Sequence, residues 1–271
     1  PEALSKFNDV SCKDAQIKLK FLLEELERLK SRFSRKALRI AFIGVERQGK
    51  STFLKTITGL DDRVIPAYSG NSCTGAVSVI HYSDEPLKVD VEYFSEQEFL
   101  DTVKTKLEKY FPDNKFYIGK LADVKNLSLP KDLGENATTT ENAEYQKFKT
   151  SYVDHYDEYC NLVGIGLKSY YDEAIIAQHV AQYVEFPNKV EGATEKEKND
   201  GKIVWIKKYY KYVAVKNVDI YTPFKIADTS LLELVDTIGI GGAADSAVVE
   251  NEMYRVLRED CDAAIDLFRP E

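Results

Sequence analysis

Apolar residues at positions 19, 22, 26, 29 and 33 recur at steps of three and four through KLKFLLEELERLKSRF, residues 18–33, a spacing that predicts a charged helix with one apolar seam. Such a seam asks for a partner surface. ALRIAFIGV (37–45) is instead a continuous apolar run with β-branched residues and reads as a fully buried strand. KSTFLKTITGL (50–60) reads as a helix stopped at Gly59. AVSVIHY (76–82) and LKVDVEYF (87–94), separated by SDEP, predict two strands joined as a hairpin.

The pattern then changes period. SEQEFLDTVKTKLEKYF (95–111) opens with a capping box, Ser95 to Glu98, and predicts a helix. Residues 112–142 read as a looser connection, and residues 143–184 as a tyrosine-dense helical segment with Gly164 and Gly166 as breaks. The charged stretch 188–202 reads as a solvated turn. Strand patterns resume in KIVWIKKYYKYVAV (202–215), VKNVDIYTP (215–223) and LLELVDT (231–237). A helix over AVVENEMYRVLRED (247–260) and one more buried strand in CDAAIDLF (261–268) complete the chain. Residues 1–35 thus form an N-terminal amphipathic helix and residues 36–94 with 201–271 an α/β core. Residues 95–200 form a mainly helical insertion.

Composition narrows the function classes. A chain of 271 residues with 44% hydrophobic and 30% charged residues suits an ordinary globular domain, and a net charge of −8 argues against a nucleic-acid partner. Four cysteines without a CxxC pair suggest neither a zinc site nor a disulfide framework, and fit a reducing, cytoplasmic setting. No apolar run approaches the ~20 residues needed to cross a bilayer. His81, His155 and His179 show no ligand spacing, so no chemistry is assigned to them.

The candidate chemistry lies in GVERQGKST, which follows the first strand and opens a helix. It fits G-x-x-x-x-G-K-[ST]: Gly44 and Gly49 let backbone amides approach phosphate oxygens, and the helix directs its N-terminal amides at them. Glu46, Arg47 and Gln48 complete the loop around the phosphates, with Thr52 in the first helical turn. Lys50 neutralises the β and γ oxygens, and Ser51 offers a hydroxyl to Mg²⁺, a hard cation that takes oxygen ligands. At average residue usage this pattern arises by chance in about one chain of this length in a hundred, and the strand and helix around it make chance rarer. LLELVDTIGIGG adds D-x-x-G: Asp236, at the end of a strand, is placed to hold Mg²⁺ or its water, and the Gly239 amide to meet the γ-phosphate. Between the two motifs, Thr74 in AYSGNSCTGAV is a candidate for completing the Mg²⁺ shell and fixing the attacking water, against the blander reading of a turn residue.

With LRIAFIGVERQGKSTFL, the threonine loop and NVDIYTP..LLELVDTIGIG, the chain resembles the dynamin-like large GTPases, particularly the bacterial members, over about residues 36–94 and 203–268. The resemblance implies a P-loop fold with a mixed sheet flanked by helices, GTP hydrolysis to GDP with Mg²⁺, and homodimerisation across the nucleotide face. It further implies a membrane or scaffold partner and a position peripheral to a membrane. Arg47, Lys50, Thr74 and Gly239 are then the catalytic candidates. The chain departs from the family at three places. Glu46 and Arg47 stand where dynamins carry glutamine and serine, Ile238 stands where proline is common, and no [NT]KxD guanine-reading motif follows Asp236. The last departure leads to the expectation that the chain stops before the base-reading loop and discriminates weakly between GTP and ATP. In guanylate-binding proteins and atlastins an arginine at the place of Arg47 acts as an internal finger on the phosphates; here the alternative is a solvent-facing arginine paired with an acid. Two further readings stay open: a catalytically weak nucleotide-binding scaffold, and a P-loop ATPase of another family.

Overall fold

The apolar run after residue 37 forms strand β1 (Leu38–Ile43), and its alternating side chains serve two sheet faces: Ile40 and Phe42 join the main core, while Ala41 and Ile43 join a smaller cluster with Val235 and Cys261. The computed structural model describes residues 10–44, 48–61, 63–65, 77–134, 137–187, 204–226, 231–237, 257–258 and 261–268. Helix α1 (Val10–Ser34) precedes β1, and helix α2 (Lys50–Thr58) follows it and ends on Gly59, whose left-handed φ of 80° lets its amide reach the Lys55 carbonyl.

Strands β2 (Ser78–Tyr82) and β3 (Lys88–Tyr93) form where the period-2 pattern predicts them, but not as the expected hairpin. Strand β7 (Val215–Thr222) lies between them, parallel to β2 and antiparallel to β3. The reason is burial. Val218 and Ile220 of β7 sit fully inside, beside Ile80 on one flank and Val89 and Val91 on the other, so one inserted strand closes the core against two neighbours at once. With β4 (Leu167–Tyr170), β8 (Leu232–Asp236) and β9 (Ala263–Asp266), the seven-stranded mixed sheet has the order β4-β3-β7-β2-β8-β1-β9. Strand β9 forms as expected but is not buried. It pairs with β1 as the terminal strand, with all four residues exposed.

Helix α3 (Glu96–Tyr110) starts on the predicted capping box and buries Phe99, Val103 and Leu107. The long helical segment expected over 143–184 is broken up. It contains α5 (Thr139–Phe148), a π-helical turn (Lys149–Asp154) and α6 (Tyr156–Tyr159), followed by β4, α7 (Glu173–Val180) and β5 (Tyr183–Pro187), with α4 (Leu121–Lys125) ahead of them. Gly164 and Gly166 take left-handed φ values of 86° and 74° at the predicted break, and from there the chain adds β4 to the sheet as an edge strand. Strand β5 pairs with β6 (Val204–Lys208) in a separate two-stranded sheet, and a 3₁₀ turn (Lys211–Ala214) leads into β7.

The seam of α1 is exposed: Leu22, Leu26 and Phe33 are 56%, 60% and 86% accessible. Polar contacts hold the helix instead. Arg32 and Arg35 meet the Asp262 carboxylate at 3.1 and 3.0 Å, and Asp262 also accepts from the Arg39 amide, which ties the helix to the start of β9 and to β1. Among the described residues no helix is long and apolar enough to cross a membrane.

Candidate phosphate and magnesium site

The site is assembled at the carboxyl ends of two neighbouring parallel strands, the place where open α/β sheets bind ligands. Strands β1 and β8 run in register from Leu38 beside Leu232 to Phe42 beside Asp236, so the end of one strand carries Asp236 and the end of the other runs into Gly44. The Thr237 hydroxyl donates to the Phe42 carbonyl at 2.6 Å and locks the two strand ends together.

Gly44 has φ 139°, and a Cβ there would lie 2.4 Å from the Leu267 carbonyl oxygen, so only glycine fits. Residues 45–47 fall outside the described residues, and Gln48 is half-buried where the chain resumes. Gly49 caps α2 with a left-handed φ of 94°, and among the described residues no atom lies within 4 Å of where its Cβ would be. The first-turn amides of an α-helix have no intrahelical partner, and this helix starts beside the open space at Gly49. Lys50 is buried and reaches back to the end of β1, donating from Nζ to the Gly44 carbonyl at 3.0 Å. The Ser51 hydroxyl donates to Oδ2 of the buried Asp236 at 3.3 Å. Thr52 is exposed and gives its carbonyl to Thr56.

Gly44, Gly49, Lys50, Ser51 and Asp236 thus come together, 185 positions of sequence separating Ser51 from Asp236. Glu46, Arg47, Thr74 and Gly239 lie outside the described residues. The convergent oxygens suit Mg²⁺: one hydroxyl and one carboxylate are what a small hard cation takes when phosphate oxygens and water supply the rest. Among the described residues no group of three or more His, Cys, Asp or Glu could hold a metal by itself.

Sequence reasoning missed the charged ladder that braces this site from the opposite end of the same strands. Arg39 on β1 donates to Glu233 on β8 at 2.7 Å, and Glu233 meets Nδ1 of His81 on β2 at 3.2 Å. His81 reaches Asp219 on β7 through Nε2 at 2.7 Å, and its ring stacks on Tyr221 at 4.8 Å. Burial opposes a charge on His81, but the hydrogen bonds to Asp219 and Glu233 outweigh it and raise the imidazole to about 9. Burial likewise opposes ionisation of Glu233, and His81 and Arg39 overcome it, bringing the carboxyl down to about 2. The available signal was a basic, an acidic and an imidazole side chain interrupting three apolar strand patterns, visible only once the register is known.

No family model matches the chain, and no curated protein matches it. Among solved structures the chain is similar to two chains from structures described as an oligomerised bacterial dynamin pair that provides a mechanism for the long-range sensing and tethering of membranes. The first is 15% identical with a TM-score of 0.40 and the second 14% identical with a TM-score of 0.38. Each match covers 97% of this chain, and this chain spans 31% and 30% of the length of those chains.

Proposed function

We propose that the chain is the nucleotide-binding part of a dynamin-like GTPase with a P-loop core in residues 36–94 and 201–271 and an insertion over 95–200. The observation that carries this reading is the meeting of Ser51 and Asp236 at 3.3 Å beside a lysine folded over a glycine-capped helix start. Each half of that arrangement lies in a sequence motif suited to phosphate or Mg²⁺ chemistry.

In this reading the Gly49 to Ser51 backbone amides and Lys50 Nζ bind and orient the β and γ phosphate oxygens, and Lys50 leaves the Gly44 carbonyl to do so. Ser51 and Asp236 hold Mg²⁺, which supplies charge neutralisation on the phosphates when bound. Thr74 and the Gly239 amide position the attacking water and meet the γ-phosphate. Arg47 acts as a finger once two copies meet across the nucleotide face, a contribution of ~10³-fold or more in rate. Guanine as the base, and a membrane or scaffold as the site of work, follow from the family resemblance.

Phosphate release tests the enzyme reading. Specific activity with Mg²⁺ and GTP rises with protein concentration, and Arg47→Ala flattens that rise. Nucleotide binding without phosphate release would establish the scaffold reading instead, and turnover of ATP far above that of GTP would favour the ATPase reading.

A further inference from the structure

Asp236 forms the terminal pair of both ladders that flank β8, facing Phe42 on β1 and Ser78 on β2. Ladder ends open more readily than their middles, so a carboxylate placed there needs a further restraint to keep its position. Thr237, the next residue, supplies one. It is only 2% exposed, and its hydroxyl donates at 2.6 Å to the carbonyl of Phe42, the residue that faces Asp236 in the ladder.

Phe42 is also the link to α2. Its buried ring lies against that of Phe53, with centroids 5.4 Å apart and planes at 45°. Phe53 stands two residues after Ser51, and its amide donates to the Gly49 carbonyl at 2.8 Å to close the first turn of the helix. One residue of β1 therefore holds the strand end that carries Asp236 through its carbonyl and the helix start that carries Ser51 through its ring. The two side-chain oxygens aligned in this way are 3.3 Å apart. Such alignment matters for Mg²⁺, which demands near-ideal octahedral geometry at about 2.1 Å, so that a ligand displaced by about 0.5 Å binds poorly.

We propose that Thr237 is a positioning residue for Mg²⁺: through the Phe42 carbonyl it sets where the Asp236 carboxylate stands relative to Ser51, and so how tightly the pair holds the cation. The inference rests on the reading of Ser51 and Asp236 as Mg²⁺ ligands. A non-hydrolysable GTP analogue is titrated by calorimetry, with and without Mg²⁺, into the unmodified chain, Thr237→Val and Thr237→Ser, and the quantity read is the ratio of the two affinities. Valine keeps the β-branched shape and loses the O–H, whereas serine keeps the O–H. Thr237→Val lowers the ratio about tenfold or more, as expected for a group that holds a metal ligand without touching the metal, and Thr237→Ser restores most of it. Phe53→Leu, at a partly exposed position, lowers the same ratio about threefold through the lost ring contact. An unchanged ratio in Thr237→Val overturns the inference. So does a loss that is equal with and without Mg²⁺, which a general loosening of the strands would give, or one that serine fails to repair. Should circular dichroism melts show that valine prevents folding, the Phe53→Leu ratio decides alone, and no change there overturns the inference. A ratio of one in the unmodified chain is a different result: it overturns the Mg²⁺ assignment of Ser51 and Asp236 itself, and this inference with it.

Discussion

Replacing His81 by glutamine tests whether the charged ladder holds the strands that carry the candidate site. His81 titrates at about 9 in the folded chain against an ordinary 6.5. The folded value is the higher one, so the stabilisation is fully present below pH 6.5 and is lost as pH rises through 9. At about 1.36 kcal/mol per pH unit the difference has a ceiling of about 3 kcal/mol. Solvent lowers it, since the Asp219 side chain is 36% exposed although those of His81 and Glu233 are 15%. About 1–2 kcal/mol is then expected. The Glu233 shift arises from the same contacts and is not added. Urea unfolding at pH 6.0 and pH 9.5 reads the effect. The unmodified chain loses about 1–2 kcal/mol more between the two pH values than His81→Gln does, because other groups titrating in that window are common to both. Two chains whose stabilities fall in parallel would show that the ladder contributes no net stability through His81.

Two further substitutions probe the site and its surroundings. Gly44→Ala drives a Cβ into the Leu267 carbonyl at a left-handed φ and is expected to cost about 2–3 kcal/mol, whereas Gly49→Ala, with open space around it, costs about 1 kcal/mol of backbone strain; equal urea midpoints would contradict the geometry. Tyr93→Phe removes a buried hydroxyl that lies 2.8 Å from both the Tyr170 hydroxyl and His179 Nδ1, leaving those groups short of a partner. A loss of about 1–3 kcal/mol in denaturant unfolding is expected, and no loss would mean that Tyr170 and His179 satisfy each other.

The phosphate loop was legible because its signal is local: a buried strand, a glycine-spaced loop and a helix follow one another within about twenty residues, each with its own punctuation at Gly44, Gly49 and Gly59. Asp236 was legible as the end of a strand. What no local pattern contains is the sheet order. SDEP between two alternating runs satisfies every short-range criterion for a hairpin, yet β7, which lies more than 120 residues further along the chain, takes the position between them because it buries Val218 and Ile220 against both. The same applies to β9, whose apolar composition suggests burial although its place at the sheet edge exposes it. The charged ladder depends on this order and could not be read before it. Helix α1 covers the stretch whose periodicity predicts a helix, but its apolar seam is exposed, which the local pattern does not contain.

The central claim is that Lys50, Ser51 and Asp236 serve a single Mg²⁺–phosphate site. Calorimetric titration of a non-hydrolysable GTP analogue, with and without Mg²⁺, measures this without depending on turnover. The account predicts one equivalent bound in the unmodified chain, tighter with Mg²⁺ than without. It further predicts no detectable binding in Lys50→Ala, and binding in Ser51→Ala that no longer responds to Mg²⁺. Unchanged affinity in Lys50→Ala would contradict it.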